Sequence, residues 1–67
     1  MSNVEHEYHI DVYNGESGRV ETYAVRVSDE HHHTKFDEVV DFISFLSSVH
    51  GISRTLIRGF KHIRMLR

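Results

Sequence analysis

Apolar and polar positions change period along this chain, and the changes divide it into a hairpin, a long helix and a basic tail. From His6 to Tyr13 the pattern alternates, with Tyr8, Ile10 and Val12 facing one way and Glu7, His9 and Asp11 the other. That is the mark of a half-buried strand. Asn14-Gly15-Glu16-Ser17-Gly18 follows, and its glycines and asparagine tolerate the positive φ of a tight turn. Val20 to Val27 alternates again, with Tyr23, Val25 and Val27 on one face. Pairing Ile10 with Tyr23 and Tyr8 with Val25 keeps the apolar side chains together and leaves residues 15–18 as the loop. Pairing Ile10 with Thr22 mixes the faces.

Phe36 to His50, FDEVVDFISFLSSVH, has a helical period. At about 100° per residue, Phe36, Val39, Val40, Phe42, Ile43, Phe45, Leu46 and Val49 cover an arc of roughly 220°. Asp37, Asp41, Ser44 and Ser48 fall on the wet side, with Glu38 near its edge. One sheet buries a narrower stripe, so the helix needs a second partner, either the C-terminal segment or another copy of the chain. Ser28 to Lys35 is a polar connection. Thr34 is placed to cap the helix, Asp37 and Glu38 to fill its first turn, and Gly51 to stop it.

The last sixteen residues, ISRTLIRGFKHIRMLR, read better as a helix than as a strand. Ile52, Leu56, Gly59, Phe60, Ile63 and Leu66 share one helical side, with Arg54, Arg58, Lys61 and Met65 opposite, and Ser53 can cap it. Strict alternation mixes charged and apolar groups on both faces. Against the helix stand the cost of an internal glycine and the weakness of an isolated hairpin. The expected fold is therefore α+β: an antiparallel hairpin, a long amphipathic helix and a basic C-terminal helix. A third C-terminal strand, giving ββαβ, is the alternative.

Sixty-seven residues make one domain with a marginal core, which favours a homodimer. There is no cysteine, so disulfides and thiolate metal sites are excluded. The first ten residues lack the basic and apolar regions of a signal peptide, and no apolar run approaches a membrane span. These features lead us to expect a cytoplasmic protein with no membrane association. Charge is segregated: residues 1–51 carry −7 and residues 52–67 carry +5, within a net −2. An acid-free basic end suits an anionic partner, or packs beside the acidic body of its own fold.

Candidate chemistry is sparse. No paired carboxylates sit in an apolar setting, no nucleophile has an evident base, and no glycine-rich loop opens a helix, so we expect a non-enzyme without a cofactor. His31, His32 and His33, preceded by Asp29 and Glu30, have metal-ligand chemistry. Adjacent loop residues rarely converge on one ion, so a solvated loop is the plainer reading and a metal site its alternative. His6 and His9 lie on opposite strand faces and cannot chelate together. His50 ends the helix, where a cation suits the dipole, and His62 falls among the basic side chains. Tyr8, Tyr23, Phe36, Phe42, Phe45 and Phe60 occupy inward positions and read as core.

Two phrases together resemble the ribbon-helix-helix family of dimeric DNA-binding proteins. Tyr23-Ala24-Val25-Arg26-Val27-Ser28-Asp29-Glu30 is similar to that family's strand running into a helix start. Gly51-Ile52-Ser53-Arg54-Thr55 resembles the turn between its two helices. The resemblance covers about residues 20–67 and implies an obligate dimer whose paired strands enter the major groove. Thr22, Ala24 and Arg26 would then face base edges, with Arg26 suited to guanine. Ser53 and Arg54 would hold a phosphate. Arg58 and Lys61 extend the basic side, so the DNA-binding set is Thr22, Arg26, Ser53, Arg54, Arg58 and Lys61. The competing expectation is a small phage-like inhibitor or adaptor that docks on a larger enzyme through an acidic protein surface.

Overall fold

Alternation sets the first two strands of the computed structural model, which describes residues 4–66. Residues 1–3, part of the stretch read against a signal peptide, and Arg67 of the basic tail lie outside the described residues. Strand β1 (Glu5–Asn14) pairs antiparallel with β2 (Arg19–Ser28), with Ile10 opposite Tyr23 and Tyr8 opposite Val25. This is the register that the apolar faces require. The Gly18 N–H donates to the Asn14 carbonyl at 2.8 Å, and the Asn14 side chain accepts from the Glu16 N–H at 2.9 Å.

The C-terminal segment corrects the expected fold. It forms a third strand, β3 (Ile57–Leu66), paired antiparallel with the other edge of β1, so the sheet order is β2-β1-β3. Among the described residues there is no basic C-terminal helix; they form a three-stranded antiparallel sheet with one α-helix. The physical reason is that the register slips twice, between Glu7 and Tyr8 and between Asp11 and Val12. Ile63 and Arg58 are thereby left as extra residues on β3, and each slip changes its parity. Ile57, Phe60, His62 and Met65 end up opposite Val12, Ile10, Tyr8 and His6. Their uneven spacing imitates a helical stripe, and strict alternation cannot find it.

Helix α1 (Val39–His50) begins three residues later than the periodicity of Phe36 to His50 implies. Glu38 is extended at φ −133° and ψ 151°, and its carbonyl accepts from the Asp41 N–H at 3.1 Å. Thr34 lies in a 3-10 turn, His33–Lys35, and is not the cap; Asp41 is the first-turn acid. Phe36 stays outside the helix and folds back on it, its ring 5.5 Å from Phe42 and 5.6 Å from Phe45. His31 stacks on the other side of Phe45 at 4.8 Å. The loop between β2 and α1 therefore covers one flank of the wide apolar stripe, a role expected of the C-terminal segment or a second copy.

Phe42 and Leu46 are fully buried with Tyr8 and Ile10, and Val12, Val27 and Ile57 complete the core. Phe42 packs on Tyr8 at 5.1 Å and on Phe60 at 4.9 Å. It thereby seats α1 over β1 and β3. Tyr23, on the same face of the outlying β2, remains 44% exposed and donates its hydroxyl to Glu21, so it is not core. Val39, Val40 and Val49 are also exposed. Among the described residues, no helix is long and apolar enough to cross a membrane.

Gly51 ends α1 at φ 67°, and its N–H donates to the Ser47 carbonyl. Nothing lies within 4 Å of a Cβ at Gly51 or at Gly59, but only Gly51 has a positive φ. Gly51→Ala is therefore expected to cost about 1 kcal/mol through backbone strain alone. Gly59→Ala, in a strand, should be neutral or stabilising by up to about 1 kcal/mol. Urea midpoints of the two variants check this, and equal destabilisation contradicts it.

Candidate functional site

β1 carries His6 on the same face as Tyr8, Ile10 and Val12, which makes it part of the apolar side of the sheet. His6 is buried, at 5% exposure. Two partners account for its polar atoms. Its Nε2 lies 2.8 Å from Asp29 Oδ1, and its Nδ1 lies 2.9 Å from His62 Nε2. A carboxylate only accepts, so His6 Nε2 carries the proton and donates to Asp29. His6 Nδ1 is then the acceptor for the His62 N–H. The hydrogen bond from His6 Nε2 holds the Asp29 carboxyl below its usual range.

His62 reaches this end of the sheet through the shifted register of β3, which sets it opposite Tyr8. His32 arrives from the loop and stacks on His6, with ring centroids 3.9 Å apart and planes within 8°. Desolvation, joined by the positive charge that His6, His33 and His62 can carry, pushes His32 down to about 4. The same causes push His62 below its ordinary value. Both rings are held neutral near pH 7, with lone pairs available. His6, His32 and His62 each offer one ring nitrogen within 4.8 Å of the others.

Tyr8 anchors the loop from below. Its fully buried hydroxyl accepts the His33 backbone N–H at 3.0 Å and also meets Nδ1 of His32 and, at 2.6 Å, Nδ1 of His33. One phenolic proton serves one of those nitrogens, so the other donates to the oxygen. Burial raises the Tyr8 pKa and keeps it a phenol. The three consecutive histidines thus part company. His31 bonds to the Ser28 hydroxyl and stacks on Phe45, His32 joins the cluster, and His33 holds Tyr8. His32 and His33 are half-buried, packed side chains and depart from the expected solvated loop, whereas His31 stays exposed beside Phe45. His50 ends α1, with Nε2 buried and no hydrogen-bond partner.

The residues expected to meet DNA divide into two places. Thr22 and Arg26 lie on the outer face of β2, opposite Asp11 and Glu7, and Lys61 lies opposite His9 on β3. Arg58, the extra residue of one register slip, sets its guanidinium over the outward Tyr13 ring at 5.4 Å. These four share the outer face with Arg64, which the sequence reading did not single out. Ser53 and Arg54 do not join them. Ser53 contacts Thr55, and Arg54 donates to Ser44 of α1 at 3.3 Å, both in the turn beyond the helix.

Acids interrupt the basic face. Arg64 donates to Glu7 at 2.9 Å and lowers that carboxyl's pKa, Arg26 lies 4.0 Å from Glu5, and the Thr22 hydroxyl donates to Asp11. Part of the basic tail therefore packs beside the acidic first strand of its own fold. Exposed pairs of this kind contribute little stability, so their positive charges stay available to a stronger anion. No family model, curated protein or solved structure matches the chain.

Proposed function

We propose that the protein is a non-enzymatic, cytoplasmic binding module that engages duplex DNA through the outer face of its sheet. The observation that carries this is the gathering of Arg26, Arg58, Lys61 and Arg64 on that face. The register slips matter here, because they let β3 present cations three residues apart on one side. Sheet faces and ribbons are established readers of DNA grooves. The reading does not rest on a second helix, and Ser53 and Arg54 have no part in it. A homodimer belongs to the same proposal, with Val39, Val40 and Val49 as its contact; a clean monomer in sedimentation at micromolar concentration removes that part.

The test is binding to a fluorescent duplex across a salt series. Replacing Arg58 and Lys61 together with alanine is expected to weaken binding to any sequence and to reduce the salt slope by about two. Arg26→Ala should instead relax preference at one base pair by about 1–3 kcal/mol. Arg54→Ala should change little. No binding by the parent protein at about 50 mM salt removes the DNA reading. Docking on an acidic protein surface, as an inhibitor or adaptor, would then use the same cations.

A further inference from the structure

The outer face leaves the histidine cluster without a task. We propose that His6, His32 and His62 bind one divalent transition-metal ion of the zinc type, with Asp29 and Tyr8 as positioning residues behind two of the ligands. The three imidazoles come from β1, the loop after β2 and β3, and their nitrogens already lie within 4.8 Å of one another.

The hydrogen bonds around the cluster prepare two of the ligands. Asp29 accepts the hydrogen bond from His6 Nε2–H, which leaves the Nδ1 lone pair aimed at His62. A carboxylate behind a ligating histidine is the usual device for fixing its tautomer and raising its basicity. Tyr8 does the same for His32. It occupies Nδ1, so that Nε2 is the nitrogen left for an ion.

Closure asks for a small movement. Zinc–nitrogen bonds of about 2.0–2.1 Å in a tetrahedron put ligand atoms roughly 3.3 Å apart. The His6–His62 pair, at 2.9 Å, opens by a few tenths of an ångström as the ion takes the place of the proton between them; that proton leaves His62 Nε2 for solvent and His62 takes one up on Nδ1. His32 must tilt out of its parallel stack on His6, because in-plane lone pairs of parallel rings do not converge. His32 is the ligand able to do so, since it sits between two short 3-10 turns and outside the sheet. An all-imidazole set selects zinc, copper or nickel over magnesium or calcium. With three protein ligands, the fourth position falls to solvent. The ion would tie β1, β3 and the loop together in a chain with no cysteine to do so.

The test is titration of the chelator-treated full chain at pH 7.5 with zinc alone, and with cobalt as a spectroscopic probe. One equivalent of zinc should bind and raise the melting temperature, and cobalt should give the intense visible bands of a tetrahedral site. His32→Ala should reduce affinity by more than about a hundredfold, and Asp29→Asn by about ten- to a hundredfold. His9→Ala and His31→Ala should leave affinity unchanged. Long-range proton–nitrogen spectra of the parent protein give a readout independent of any variant's folding: zinc should shift His6 Nδ1 and His62 Nε2. Unmoved nitrogens, absence of saturable one-to-one binding, or an equal loss in His31→Ala overturns the proposal. The last outcome would mean chelation by neighbouring histidines of the loop.

Discussion

Phe42→Ala is expected to leave the protein largely unfolded at 25 °C. Phe42 is fully buried and touches every aromatic group of the core: Tyr8 from β1, Phe60 from β3, Phe36 from the loop and Phe45 from its own helix. Truncating a buried phenylalanine costs about 3–5 kcal/mol, part lost transfer energy and part cavity. A domain of this size gains about as much in total from one core. The gap would open where α1 meets β1 and β3, and the 12-residue helix has no other fully buried anchor besides Leu46. Circular dichroism and urea denaturation check the outcome. A cooperative transition within about 1 kcal/mol of the parent would show that the helix is held some other way.

Tyr8→Phe probes a different link and should cost about 1–3 kcal/mol. The ring remains, with its packing on Phe42 and Phe60. The loss is the oxygen that satisfies the His33 N–H and bridges two imidazoles. Most of the cost lies in leaving those buried groups unpaired, since a hydrogen bond exchanged cleanly with water contributes less. The damage should be local. The His33 amide should lose hydrogen-exchange protection while amides at the β1–β2 pairs keep theirs. An unchanged His33 amide would mean that the hydroxyl does not hold the loop.

The hairpin was legible because each signal in it agrees. Tyr8, Ile10 and Val12 alternate without a break, Tyr23 and Val25 do the same, and GESG sets the loop. Nothing comparable marks β3, where the extra residues Arg58 and Ile63 change the parity twice. Gly59 was the usable hint: it costs stability within a helix but is at home beside a bulge. The helix itself was legible and its start was not, because Phe36 serves the apolar stripe from an extended segment. The metal-ligand reading fixed on His31 to His33 because they are adjacent in sequence. Parity alone put His6 on the buried face with Tyr8, but its meeting with His62 depends on the register slip beside Tyr8. That is a long-range pairing, which no local pattern contains. The cation face was missed for the same reason, since Arg64 becomes a neighbour of Glu7 only once β3 is a strand.

The central place of β1 has a kinetic consequence. Its hairpin with β2 closes across four residues, an event on the order of microseconds. Its pairing with β3 joins Glu5 to Leu66 and waits on closure of nearly the whole described chain. In the interval, one edge of β1 offers unpaired backbone groups beside the uncovered Tyr8, Ile10 and Val12. Such an edge is a template for another molecule's strand. Refolding should therefore be first order in dilute solution and lose yield as protein concentration rises. An added peptide spanning Ile57 to Leu66 would compete for that edge and slow the native reaction.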